Sequence, residues 1–174
     1  RAVVQSNTFP ADWIIPDWPA PQGVFALCTT RAGGSSTGLF GTTNLSLNVG
    51  DDPTHVLQNR ELVARAMRAL EAKNALSAVE LTARQPVFVS QVHGTEVKLI
   101  DLCNTGVQAA DASVTDTPGL GCAVMAADCL PVLFTDSDGR RVAAAHAGWR
   151  GLAAGVLEDT VAAFGDVRPM AWLG

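Results

Sequence analysis

The sequence predicts an α+β fold in which strands outnumber helices and the sheets are mixed. Short apolar runs with strand-like composition recur along the chain, and several are joined by short hairpin-like links. Such links favour α+β over a doubly wound parallel sheet, where strands would alternate regularly with helices. At 174 residues, the chain is expected to form one domain with a sizeable core.

The first half of the chain contains the clearest helix, at residues 52–73. Asp52 is a suitable N-cap, Pro53 suits the first helical position, and apolar residues repeat on one face. The proline-rich residues 9–22 are expected to form an extended arm. Two strands are predicted, at 23–30 and 45–49, on either side of a Gly/Ser/Thr-rich loop at 31–44. Loops of this length and composition are usually either mobile or functional.

The second half, after a connection at 74–85, is predicted to consist mainly of strands. The predicted strands are PVFVSQ, TEVKLID, DASVTD, LGCAVMA, PVLFTD and RVAAAHA. The DSDG segment at 136–139 predicts a hairpin turn between the last two. A helix is expected from about Trp149 to Ala163, ending near Gly165, and RPMAWLG begins another strand.

Composition limits the class of protein. A hydrophobic content of 48% and a charged content of 17% are typical of a soluble globular protein. We expect neither nucleic acid nor a membrane as its partner. The net charge of −5 argues against a broad nucleic-acid surface, although local arginines can still bind a small anion. No apolar run is long enough for a membrane span, and no secretory signal is visible. The four cysteines form no CxxC pair, so we expect a reduced, cytoplasmic protein.

Three residues lie where strand-like runs end, the usual setting of active-site groups in proteins that combine helices and sheets. They are His93, Cys129 and His146. Three nitrogen and sulfur ligands with a fourth position open are typical of catalytic zinc. Their separations along the chain are too loose to decide, so a buried free cysteine and two hydrogen-bonded histidines remain an alternative.

The same residues also fit a thiol–imidazole pair. Cys129 would be the nucleophile and His146 its base, with Asp128 or Asp111 orienting the imidazole. A thiolate needs a nearby cation or metal ion to form at neutral pH. The two interpretations therefore share residues and differ mainly in whether a metal ion is present.

An anion site is suggested by the HAGWRG segment, a strand end followed by a glycine turn and a helix start. Arg150 lies in the first turn, where the helix dipole is unfavourable for a cation. Either an anionic ligand or an ion pair with a neighbouring acid would explain this position. Arg31, at the start of the glycine-rich loop, is a similar candidate, although that loop lacks P-loop or GxGxxG spacing. Phe40 and Trp149 could stack on a flat base, but core packing is the commoner role of such aromatics.

Several motifs, in this order, resemble the multicopper polyphenol oxidase (laccase) domain family, also known as YfiH-type purine nucleoside phosphorylases. They are TTRAGGSSTG, NLSLNVGDDP, QVHGTEV, ADASVTD, AADCLPVLF and AAAHAGWRGL, and the resemblance runs from about residue 23 to residue 174. It implies that His93, Cys129 and His146 bind zinc, while copper can occupy the same ligands in vitro. It also implies that residues 1–174 form a single domain of this type that lacks the family's C-terminal part.

The resemblance implies a layered α/β sandwich with mixed sheets, related to bacterial toxin deamidases. It also implies zinc-dependent phosphorolysis of adenosine, inosine and methylthioadenosine, with purine nucleoside and phosphate as substrates and adenosine deamination as a side activity. The alternative is a cysteine hydrolase acting on an amide in a peptidoglycan precursor. Polyphenol oxidation is less favoured, because three histidines are too few for a multicopper oxidase. A non-catalytic zinc-binding domain is a further, less favoured alternative.

The expected site residues fall into three groups. The catalytic candidates are Cys129, His146, Asp111 and Asp128, the substrate-binding candidates are Arg31, Arg150 and Asn44, and the metal ligands are His93, Cys129 and His146.

Overall fold

The computed structural model describes residues 9–74 and 86–174, which divide into two compact units. The first unit contains residues 9–16 and 25–74, and the second contains residues 17–24 and 86–174. The connection expected at 74–85 lies, beyond Asn74, outside the described residues. None of the described helices is long and apolar enough to cross a membrane.

The first unit is built around helix α1, Pro53–Asn74, which confirms the predicted helix. Asp52 caps it, since the backbone N–H of Thr54 donates to Oδ1 of Asp52 at 2.8 Å. The predicted apolar face of α1 is buried at Val56, Val63, Ala66 and Leu70. Val63 and Ala66 pack in one cluster with the buried Trp13, so the proline-rich arm contributes to this core.

The strands predicted at 23–30 and 45–49 are wrong. The first segment forms only an isolated antiparallel bridge between Cys28 and Ile14, and the second is a loop with a turn. Their apolar residues instead cover the core, where Leu27 and Leu45 pack against the cluster around Trp13. Packing of side chains, without strand pairing, accounts for the apolar pattern that predicted these strands.

The second unit contains the two sheets. In the described residues, the strands are β1 (Pro86–Phe88), β2 (Val97–Leu99), β3 (Ala112–Thr115), β4 (Gly121–Ala123), β5 (Leu130–Thr135), β6 (Val142–Ala147) and β7 (Met170–Leu173). Strands β1 and β4 form a parallel pair, and the other sheet has the order β2-β3-β6-β5-β7. Its β2–β3 pairing is parallel and the rest are antiparallel, so the mixed α/β fold expected from the sequence is confirmed.

Two short helices pack on the larger sheet. Helix α2 (Trp149–Ala154) and helix α3 (Val156–Ala162) are separated by Gly155, whose φ of 105° cannot continue a right-handed helix. The prediction of one continuous helix from Trp149 to Ala163 is therefore wrong, because this segment forms two helices. The main core lies between these helices and strands β3, β5 and β6, with Val156 and Phe164 on the helical side.

The DSDG segment connects β5 and β6 as predicted. The register pairs Thr135 with Val142, and the intervening turn is stabilised by Asp136. Oδ1 of Asp136 accepts a hydrogen bond from the backbone N–H of Arg140 at 2.8 Å, while Gly139 takes a φ of 67°. This hairpin fixes the relative position of the two strands that lead into the candidate site.

Candidate metal centre

Cys129 and His146 come together because β5 and β6 form an antiparallel hairpin. Leu130, the first residue of β5, pairs with Ala147, the last residue of β6. Cys129 directly precedes Leu130, so it lies at the same end of the hairpin as His146. Side chains alternate along a strand, so His146 points away from the core face that Ala147 helps to form.

Asp111 is joined to this pair through the next strand of the sheet. Ala112 of β3 pairs with Ala145 of β6, and the backbone N–H of His146 donates to the Asp111 carbonyl oxygen at 2.7 Å. The side chains also meet, with Oδ1 of Asp111 2.9 Å from Nδ1 of His146, and both are buried. An ionised carboxylate can only accept, so Nδ1 donates and Nε2 of His146 is left for a metal ion.

The same carboxylate shapes the turn that carries His93. The backbone N–H groups of Val92, His93 and Gly94 donate to its oxygens at 3.1, 2.9 and 2.7 Å. His93 has a φ of 62°, in the left-handed region that non-glycine residues rarely occupy. The hydrogen bonds to Asp111 stabilise this conformation, so one buried acid positions both His93 and His146.

The three predicted ligands form a compact cluster. One ligand atom from each of His93, Cys129 and His146 lies within 4.8 Å of the others. The two imidazole rings are nearly perpendicular, with their centroids 4.9 Å apart. His146 is buried, Cys129 is half-buried and His93 is exposed, so the cluster reaches the surface. This donor set of two imidazoles and one thiol is a candidate metal site, and its ligand types suit zinc or copper.

Local electrostatics favour a cation at this site. Burial tends to raise the pKa of Asp111, but hydrogen bonds from His146 and from the turn at 92–94 outweigh it and lower the pKa. Desolvation raises the pKa of the Cys129 thiol, and the neighbouring Asp128 carboxylate raises it further. A divalent cation would reverse this effect on Cys129, because metal binding deprotonates a coordinating thiol.

Gln91 is a site-supporting residue that the sequence analysis did not identify. Its Nε2 donates to the carbonyl oxygen of Met125 at 2.7 Å, and its Oε1 accepts from the Met125 N–H at 2.6 Å. The two bonds tie the segment leading to His93 to the segment leading to Cys129. No local pattern in the sequence connects an amide with a backbone partner 34 residues away.

Three further predicted residues lie close in sequence to these ligands. Asp128 is exposed, and its Oδ1 is 3.6 Å from Sγ of Cys129. Arg150 is exposed and forms no ion pair with any residue that the structure describes, while its guanidinium carbon lies 5.2 Å from the centroid of the Trp149 ring. Trp149 itself is 73% exposed, so the expectation of core packing is wrong for this residue.

Arg31 and Asn44 belong to the first unit. Arg31 is exposed, and its carbonyl oxygen accepts the backbone N–H of Thr42 at 2.7 Å, which closes the glycine-rich loop. The amide nitrogen of Asn44 donates to Oδ2 of Asp51 at 3.0 Å and to the carbonyl oxygen of Ser46 at 3.1 Å. Both residues therefore organise their own loops, and their roles in substrate binding stay predictions.

The second unit thus defines a mixed α/β protein with a His–Cys–His centre at one end of a β-hairpin. Comparison with known protein families agrees with this class. The family model described as multi-copper polyphenol oxidoreductase laccase matches residues 25–174 of the chain. The chain belongs to this family.

Proteins similar to this chain are named purine nucleoside phosphorylases, a description that differs from that of the family model. The chain is 47% identical over 163 residues to the purine nucleoside phosphorylase YfiH of Escherichia coli, covering 92% of this chain and 62% of that protein. It is 46% identical over 164 residues to a purine nucleoside phosphorylase of Pseudomonas aeruginosa, covering 93% and 61%. The chain therefore spans a little under two thirds of the length of these relatives.

Solved structures share the fold. A crystal structure of a Neisseria meningitidis protein matches with a TM-score of 0.75 and 45% identity, over 93% of this chain and 62% of that one. The structure of YlmD from Geobacillus stearothermophilus matches with a TM-score of 0.74 and 30% identity, over 96% and 64%.

Proposed function

We propose that this protein is a zinc-dependent purine nucleoside phosphorylase whose metal ligands are His93, Cys129 and His146. The observation that carries the proposal is the convergence of these three side chains, with ligand atoms within 4.8 Å of one another. Relatives named purine nucleoside phosphorylases support the choice of reaction. Three protein ligands leave one position open, as catalytic zinc sites require, and zinc bound there would supply a Lewis acid.

The residues around the ligands divide the remaining tasks. Asp111 is fully buried, and its carboxylate accepts hydrogen bonds from His146 and from the turn at 92–94, so it positions the ligands and does not transfer protons. Asp128 is exposed beside Cys129, which makes it the candidate for moving protons to and from a substrate. Adenosine deamination as a side activity requires such a carboxylate next to the metal.

Substrate binding is assigned to the exposed residues that follow His146. Arg150 has no ion pair within the described residues, so its guanidinium is available for phosphate. Helix α2 has six residues, so its dipole adds little and the side chain carries this assignment. The exposed Trp149 offers a flat surface for a purine base. Arg31 and Asn44 are further substrate-binding candidates from the first unit.

A cysteine hydrolase acting on an amide, for instance in a peptidoglycan precursor, is the second candidate. It is favoured by the 2.9 Å contact between Asp111 and His146. In a catalytic triad, an acid orients the histidine that deprotonates the nucleophilic thiol, and Asp111 would have this role. The raised pKa of Cys129 counts against it, since a thiol without a neighbouring cation is a poor nucleophile.

Phosphate dependence separates the two candidates. Full-length protein is incubated with inosine, with and without inorganic phosphate, and hypoxanthine and ribose 1-phosphate are measured. Phosphorolysis predicts both products only when phosphate is present. Absence of hypoxanthine in both incubations, together with turnover of an amide substrate, would favour the hydrolase. Bound zinc without turnover of either substrate class would indicate a non-catalytic zinc-binding domain.

A further inference from the structure

Gly148 occupies a position where the backbone does not require glycine. Its φ of −63° and ψ of 153° are extended values that any residue adopts. It is also the N-cap of α2, and no side chain there bonds to the helix. Glycine is accepted at N-cap positions, but Ser, Thr, Asp and Asn are accepted there as well, and their side chains can also cap the first turn. Local structure therefore permits several other residues at 148 and does not require glycine.

The reason for glycine is the space around it. A Cβ added at Gly148 would lie 3.1 Å from Sγ of Cys129, 3.2 Å from Cδ2 of His93 and 3.3 Å from Cε1 of His146. All three nearest atoms thus belong to the three candidate metal ligands. Contacts this short require the neighbouring atoms to move by a few tenths of an ångström.

Side chains that hold a metal ion have little freedom to move by this amount. Zinc–sulfur bonds are about 2.3 Å long, zinc–nitrogen bonds are about 2.0–2.1 Å, and useful sites keep these lengths to within about 0.2 Å. In the metal-free protein His93, which is exposed, and Cys129, which is half-buried, have more freedom to move away from an added methyl group than the buried His146 that Asp111 holds. A side chain at 148 should therefore disturb the metal-bound state much more than the metal-free state.

We propose that Gly148 is a positioning residue that keeps open the space in which His93, Cys129 and His146 converge on a metal ion. This inference rests on the proposed metal centre. Gly151 has a related role, because it also leaves space that a side chain would fill. A Cβ there would lie 2.7 Å from the carbonyl oxygen of Gly94, in the turn that carries His93. The two glycines of HAGWRG thus allow α2 to begin close to the three ligands and to pack against the turn that carries His93.

The test compares Gly148→Ala with the wild-type protein and with Gly106→Ala. Gly106 is exposed and a Cβ there would meet no atom within 4 Å, so its substitution adds the same methyl group without a contact. Zn²⁺ and Co²⁺ are titrated into each metal-free protein, and the absorption of thiolate-bound Co²⁺ is recorded. Melting temperatures are measured with and without metal. Gly148→Ser is included because it adds a capping hydroxyl as well as the Cβ.

We expect Gly148→Ala to weaken binding of both metal ions at least tenfold, to change the Co²⁺ spectrum and to reduce the rise in melting temperature on metal binding. Its metal-free melting temperature should stay within a few degrees of that of Gly106→Ala. Gly148→Ser should lose metal affinity equally, although its hydroxyl can cap α2.

Two outcomes would overturn the inference. Wild-type affinity in Gly148→Ala would show that the space is not needed for the metal ion, and a large loss of metal-free stability would show that glycine serves the fold instead. If the wild-type protein itself bound neither metal ion, the proposed metal centre would fail instead.

Discussion

Oδ1 of Asp111 lies 2.9 Å from Nδ1 of His146, and both side chains are buried. The same carboxylate accepts three backbone N–H groups from residues 92–94, the turn that carries His93. A single acid therefore sets the ring orientation of one histidine and the backbone conformation of the other. Metal-ligating histidines commonly donate their second ring nitrogen to a carboxylate in this way.

Replacing this acid should damage both the fold and the metal site. Asp111→Asn keeps the shape of the side chain but removes its charge and one acceptor oxygen. We expect the free energy of unfolding to fall by about 2–4 kcal/mol, because buried hydrogen bonds to a charged group are lost. Zinc affinity should fall by about 10- to 100-fold. Chemical denaturation and zinc titration measure these effects, and Asp138→Asn, at an exposed acid, serves as the control. Equal behaviour of the two variants would contradict the role of Asp111.

The pKa of Asp111 predicts a loss of stability in acid. In the folded state this pKa is lowered, whereas in the unfolded chain it takes its ordinary value of about 3.9. The unfolded state therefore binds the proton first as pH falls, and stability decreases from about pH 5 downward until the folded carboxyl is itself protonated. Denaturation of the metal-free protein between pH 7 and pH 3 should show this decrease, and it should be smaller in Asp111→Asn. Parallel pH profiles for the two proteins would rule out this assignment.

Arg150 should be needed for phosphate but not for folding. A charge-assisted hydrogen bond contributes about 1.5–3 kcal/mol, so Arg150→Ala should raise the KM for phosphate by roughly 10- to 100-fold. Its melting temperature and zinc content should stay close to wild type, because the side chain is exposed and has no ion pair within residues 9–74 and 86–174. Arg140→Ala, at an arginine with 81% of its side chain exposed, is the matched control. An unchanged KM would leave Arg31 as the next candidate for binding phosphate.

Trp149 should contribute to nucleoside binding. Stacking of a base on an aromatic side chain contributes about 1–3 kcal/mol, so Trp149→Ala should raise the KM for inosine by roughly 5- to 100-fold. The KM for phosphate should change much less, which is the opposite of the pattern expected for Arg150→Ala. Because 73% of the residue is exposed, its loss should have little effect on melting temperature. A fall in melting temperature with unchanged kinetics would indicate that the ring serves packing.

Much of the fold could be predicted because local and tertiary preferences agree. Helix α1 has an N-cap at Asp52 and a regular apolar face, and the β5–β6 hairpin has a turn sequence between two strand-like runs. The predictions failed where tertiary packing decided the outcome. Leu27 and Leu45 bury apolar surface against α1 without joining a sheet, and Gly155 interrupts a segment whose overall composition is helical.

The candidate site shows the same division. His93, Cys129 and His146 could be identified because each ends a strand-like run, and the hairpin register explains how two of them meet. Sequence alone left Asp111 and Asp128 as alternatives for orienting the imidazole. Only the pairing of β3 with β6 brings Asp111 to His146. The requirement for glycine at 148 was equally hidden, because it depends on three side chains from distant parts of the chain.

The metal content of the purified protein tests the central claim most directly. Elemental analysis should find close to one zinc per chain in the wild-type protein and in Cys103→Ser, which changes an exposed free cysteine. Cys129→Ala should contain almost none, because it removes the one sulfur ligand of the cluster. Full zinc retention in Cys129→Ala would contradict the assignment of His93, Cys129 and His146 as the metal centre.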